Sequence, residues 1–217
     1  MAVTHWSPTY GNADFSLERQ EPLYEGFFRM LRLYLKHRTF AGGEIHIQRE
    51  LFYRDDAVCV LLYDACLDRV VLVEQFRVGS LEHPDGPWML ELVAGIVEAG
   101  ETPQQVAERE AEEEAGAALG ELEHIIRFVP SSGATREYID LYCAAVDSSV
   151  LGGDYGLAHE GEDIRVHLFA ASDAFDLLHQ GKIYNSPAII ALQWLQLNHQ
   201  RLRQQWGTLD SGESDET

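Results

Sequence analysis

Positive charge is scarce in this chain. Lysine occurs only at Lys36 and Lys182, and Lys and Arg together number 16 against 36 Asp and Glu, a formal net charge of −20. Such a surface repels nucleic acid and anionic membranes, which basic stripes attract, so neither is an expected partner. The three cysteines, Cys59, Cys66 and Cys143, form no C-x-x-C pair, and an odd number cannot all pair within a chain. A reduced, intracellular protein is expected. No run of about 18 apolar residues occurs, and the opening MAVTHWSPTY lacks a basic start followed by an apolar stretch, so a soluble cytoplasmic protein is expected. The nine histidines show neither H-x-H nor H-x-x-x-H spacing, which argues against zinc.

What is present fits a globular protein: 217 residues, 46% hydrophobic and 24% charged, enough for one good-sized domain or a domain with an arm. The segments 23–35 and 45–54 are rich in β-formers and flank a turn containing Gly42 and Gly43, which reads as an antiparallel arm over residues 1–55. Residues 57–63 (AVCVLLY) form a continuous apolar run, the pattern of a strand buried on both faces. Further strands are expected over 70–77, 89–93, 125–129, 139–146 and 164–169. Helices are expected after Ser172, ending at Gly181, and from Ser186-Pro187 to about Trp206. Strands interleaved with helices imply an α/β or α+β sandwich over residues 56–209, followed by a frayed acidic tail at 210–217.

One segment carries chemistry. Thr102, Pro103 and Gln105 are placed as N-cap, N1 and N3 of a helix that Gly116 closes. At helical spacing Ala107, Ala111 and Ala115 make a narrow stripe of small side chains, which lets the helix approach a sheet closely. Beside it Glu110, Glu113 and Glu114 stand at i, i+3 and i+4. Carboxylates so spaced repel one another, and those in the last turns oppose the helix dipole, each at about 0.3–1 kcal/mol. A solvated acidic face is the bland explanation of seven Glu and one Arg between residues 95 and 116. The alternative is a hard oxygen site for Mg²⁺ or Mn²⁺, whose charge offsets the repulsion.

Spacing decides between them. Gly95, Glu101, Arg109-Glu110-Ala111, Glu113-Glu114 and Gly116-Ala117 follow the order G-x5-E-x7-REA-x-EE-x-GA without a gap, a coincidence expected roughly once in a hundred thousand chains of this length. The sequence resembles the Nudix hydrolase family through this box, and from about Tyr24 to the ALQWLQLNHQ of the last helix it is similar to the bacterial ADP-ribose pyrophosphatase branch. The resemblance implies an α/β/α sandwich with a mixed sheet, an N-terminal antiparallel β arm that crosses to a partner in a homodimer, and Mg²⁺-dependent hydrolysis of ADP-ribose to AMP and ribose 5-phosphate. It implies metal ligands at the Ala94 carbonyl, Glu110, Glu114 and Glu162, with Arg109 orienting the glutamates, Glu113 as a supporting carboxylate and Glu160 as the base for water. Implied substrate contacts are Phe27, Arg49, Glu50, Arg77, Ile96, Ser131 and Glu137. Two positions depart from the branch: Ser132 stands where a proline is usual, with Pro130 displaced, and Ile96 replaces Met. Another nucleoside diphosphate sugar, such as ADP-glucose or GDP-mannose, is the alternative substrate, and a nucleotide-sugar sensor without turnover is the alternative class.

Overall fold

The computed structural model describes residues 6–157, 159 and 161–207. Glu160 and the tail expected at 210–217 lie outside them. In chain order the strands are β1 (Phe15–Glu25), β2 (Arg29–Arg38), β3 (Glu44–Tyr53), β4 (Ala57–Asp64), β5 (Arg69–Phe76), β6 (Trp88–Glu91) and β7 (Val93–Ile96). After helix α1 (Pro103–Ala115) come β8 (Leu122–Phe128), β9 (Thr135–Arg136), β10 (Ile139–Ala145), β11 (Gly153–Tyr155) and β12 (Ile164–Ala170), then α2 (Ala171–His179) and α3 (Ser186–Trp206). The chain divides into two compact units, residues 1–55 with 129–137, and residues 56–128 with 138–217.

The first unit is a sheet in the order β1-β2-β3-β9, with β9 parallel to β3 and the rest antiparallel. The single strand expected over 23–35 is in fact two. The chain reverses at Gly26–Phe28, where the Gly26 N–H donates to the Phe28 carbonyl at 3.0 Å, and β1 precedes the turn. β1 had no legible signal because Phe15–Glu25 is exposed nearly throughout and its register slips twice, so apolar and polar residues do not alternate. Along β2 the faces do alternate. One carries apolar rows such as Leu17–Leu35–Ile47 and Pro22–Leu31–Leu51. The other carries charge: Arg32 donates to Glu21 at 3.2 Å and Glu50 at 3.4 Å, and the Tyr34 hydroxyl donates to Glu21 at 3.0 Å.

The second unit is built on a mixed sheet in the order β11-β12-β5-β4-β10-β8, with β6 added to β5 and β7 to β4. β4 and β10 pair in parallel. β4 is buried on both faces, as its continuous apolar run requires: Val58, Val60 and Leu62 pack with Val106, Ala107, Ala111 and Ala115 of α1. Cys59, Leu61 and Tyr63 pack with Ala171 and Ala174 of α2 and with Ala191, Leu192 and Leu195 of α3. Helices on both faces make the α/β/α sandwich.

Local signals place the helices. Thr102 and Gln105 form the capping box of α1, and Gly116 ends it in the left-handed region at φ 61°. α2 starts at Ala171, one residue before the expected Ser172, and its N-cap, Ala170, makes no side-chain bond. The cap of α3 is Asn185, which accepts the Ala188 N–H at 3.1 Å and donates to the Leu90 carbonyl at 2.7 Å. The strand expected over 89–93 divides at the buried Leu92, where the chain leaves β5 for β4. Among the described residues no helix is long and apolar enough to cross a membrane.

Candidate active site

Because its inner stripe is alanine, α1 lies close to the sheet, and its glutamates meet β7. Glu114 is 2% exposed and accepts the Ala94 N–H at 2.9 Å. Glu110 occupies the space over Gly95, where a Cβ would overlap its carboxylate. Burial pushes both carboxyls up, Glu114 to about 8 and Glu110 to about 7. The Ala94 N–H opposes the shift at Glu114, and Arg109 opposes it at Glu110. Glu110 raises Glu114, and Glu162 raises both, so the three carboxylates share one field.

Arg109 ties the outer edge of the cluster. Its Nε and Nη2 grip Glu101 at 3.0 and 3.1 Å, while Nη1 donates to Glu110 at 2.7 Å and Glu113 at 3.2 Å. Nη2 also reaches the carbonyl of Ile96, at the end of β7, at 3.5 Å. Glu101, a fixed position of the box, is thus the main partner of Arg109, a role its place in the motif alone did not disclose. Glu162 accepts the Leu157 N–H at 3.2 Å. Arg77 donates to Glu91 at 2.6 Å, and its charge eases the ionisation of Glu114. Glu91 was not singled out from sequence; its pairing with Arg77 comes from β5 and β6 lying side by side.

The structure therefore gathers Ala94, Ile96, Arg77, Arg109, Glu110, Glu113, Glu114 and Glu162 in the second unit. Phe27, Arg49, Glu50, Ser131 and Glu137 belong to the first. There Phe27 is 84% exposed with its ring edge-on to Phe28, and the Ser131 carbonyl accepts the Thr135 N–H at 3.0 Å. Glu137 is buried with Arg54 3.4 Å away. Arg49 and Glu50, pairing with Leu33 and Arg32 respectively, point to opposite faces of the arm sheet.

As a donor set the cluster is chemically suited to a divalent cation: hard carboxylate oxygens, mutually repelling and largely removed from water. Among the described residues no three carboxylates, histidines or cysteines converge as a ready ligand group. Glu110 and Glu113 face Arg109 instead, and Glu114 faces the Ala94 N–H.

Comparison with known proteins agrees with this geometry. A NUDIX domain model matches residues 53–203. The ADP-ribose pyrophosphatase of Haemophilus influenzae (strain ATCC 51907 / DSM 11121 / KW20 / Rd) is 44% identical over 201 residues, 91% of this chain and 93% of that protein. The GDP-mannose pyrophosphatase of Escherichia coli O1:K1 / APEC is 28% identical over 185 residues, 85% of this chain and 96% of that protein. A solved structure described as an ADP compounds hydrolase superposes with a TM-score of 0.64 at 18% identity, covering 90% of this chain and 97% of that one, and shares the fold. Nudix hydrolases of the ADP-ribose pyrophosphatase kind are divalent-metal dependent. With its box folded as a strand-loop-helix and the family's domain model matched over most of its length, the chain belongs to the NUDIX family as a Nudix hydrolase.

Proposed function

We propose that the protein hydrolyses the pyrophosphate of ADP-ribose to AMP and ribose 5-phosphate, using Mg²⁺ or, in its place, Mn²⁺. The observation that carries the reading is the 44% identity, over nine tenths of the chain, to a protein named for that activity. The cation would be held by Glu110, Glu114, Glu162 and the Ala94 carbonyl. When bound it supplies charge neutralisation at the phosphate oxygens and a lowered pKa for the attacking water.

The chain's own residues supply the rest. Arg109 fixes Glu110 and Glu113, so the cluster keeps its shape despite its repulsion. Arg77 brings positive potential to a protein of net charge −20. Glu160 takes the proton from water as the water oxygen bonds to phosphorus and the bridging P–O bond breaks. Substrate contacts are assigned to Phe27, Arg49, Glu50, Arg77, Ile96, Ser131 and Glu137.

Residues 1–55 are assigned as a dimerisation arm and 56–209 as the hydrolase domain. An exposed apolar face on the arm, with Leu17 at 49% and Ile45 at 44%, supports a homodimer. Sedimentation of the wild type tests this, and a well-behaved active monomer would remove the arm from that role. A cytoplasmic location accords with Cys59, Cys66 and Cys143 all being thiols.

The deciding experiment is a panel of ADP-ribose, ADP-glucose and GDP-mannose ranked by kcat/KM with and without Mg²⁺. ADP-ribose is expected first. Preference for another sugar nucleotide would move the substrate within the class, and binding without turnover would make the protein a sensor.

A further inference from the structure

Gln75 is 6% exposed, and its Nε2 is shut off from solvent without a hydrogen-bond partner. An orphaned amide donor at this depth is uncommon in a folded protein and asks for a cause. Its place in the sheet supplies one. Gln75 stands opposite Ile164 of β12 and Met89 of β6. Cross-strand partners share a face, and Val71, Val73 and Ile164 all pack on the side of α1, so the Gln75 side chain projects to that side. Pairing continues to Arg77, whose N–H donates to the Pro87 carbonyl at 2.8 Å, so Arg77 projects the same way one step nearer the strand end. Arg77 in turn acts on Glu114. Gln75 thus lies on the face of the sheet that α1 covers, two residues from Arg77.

Each carboxylate of the cluster accepts from another donor, and none accepts from Gln75. Glu114 accepts from Ala94, Glu110 and Glu113 from Arg109, Glu91 from Arg77 and Glu162 from Leu157. Among the described residues Nε2 has no partner. Resting on the pyrophosphatase reading above, we propose that on nucleotide binding the Gln75 carboxamide, sealed from solvent in the free chain, turns to donate to an anionic phosphoryl oxygen beside Arg77. A neutral donor suits this position because a second cation there would compete with the metal for Glu114, and a carboxylate would repel the phosphate.

Gln75→Met keeps the length and volume of the side chain and removes the donor. Affinity for ADP-ribose, measured by calorimetry with EDTA present, is expected to weaken about 10-fold or more, with kcat/KM in Mg²⁺ falling by a similar factor, mostly through KM. The Tm of the ligand-free protein should hold or rise, since a buried orphan donor has been removed. Gln75→Glu, which keeps the shape but adds repulsion, should weaken binding further. Equal ADP-ribose affinity in wild type and Gln75→Met, or a marked fall in ligand-free Tm of Gln75→Met, would overturn the assignment and leave Gln75 a packing residue. Tight binding by a wild type that turns nothing over would sink only the hydrolytic reading.

Discussion

The carboxylate of Glu110 sits where Gly95 would carry its Cβ, so the strand and the helix of the box are fitted to each other at one atom's width. Gly95→Ala forces the two apart. Overpacking of this kind costs about 1–3 kcal/mol, and displacing a reacting group by about 1 Å can cost 10²-fold in rate. The variant should show both a lowered Tm and a loss of kcat/KM of that order. Wild-type turnover in Gly95→Ala would show that Glu110 has no fixed role.

Glu114→Gln removes a buried carboxylate that Glu110 and Glu162 push up, while leaving an oxygen to accept the Ala94 N–H. Without metal its Tm should match or exceed that of the wild type. Activity should fall about 100-fold or more, since several kcal/mol of charge stabilisation depend on the ion it holds. A steep loss of metal-free stability with turnover preserved would remove Glu114 from the ligand set.

Glu160 and Glu162, two residues apart, are assigned different work, and a Mg²⁺ titration separates them. Glu160→Gln should lower kcat by about 10²–10⁴-fold with little change in the Mg²⁺ needed for half activity. Glu162→Gln should raise that Mg²⁺ requirement. Near-wild-type kcat and identical metal dependence in both variants would remove both carboxylates from the reaction.

Asp64 gives a pH prediction away from the site. It is 3% exposed and accepts four bonds, from the N–H groups of Cys66 and Leu67 and from the N–H and hydroxyl of Ser148, at 2.7–2.9 Å. Burial alone would raise its carboxyl, but these donors outweigh it and hold it below the ordinary value of 3.8. A depressed carboxyl contributes stability that is present above its unfolded pKa and lost as pH falls through its folded one. Asp64→Asn should therefore be less stable than wild type by about 1–3 kcal/mol at neutral pH. Denaturant titrations should show the gap narrowing as pH falls below about 3.8. A gap independent of pH would mean that the charge on Asp64 contributes nothing.

The box was legible because its rules are local. Thr102, Pro103, Gln105 and Gly116 specify the ends of α1 through bonds to their own neighbours, and a 3.6-residue period then fixes which glutamates share a face. The buried central strand announced itself through the unbroken apolar run of 57–63, since a strand covered on both sides has no polar face to display. Partners distant in sequence were another matter. That Glu91 holds Arg77, that β6 and β7 divide at Leu92, and that the Gln75 amide faces the α1 side without a partner all follow from which strands lie side by side. Strand neighbours are chosen by the packing of the whole sheet, and no local propensity encodes them. The sequence by itself determined the family's chemistry and the helix that carries it; the tertiary structure decided how burial raises Glu110 and Glu114 and, among the described residues, that the Gln75 Nε2 is buried without a partner.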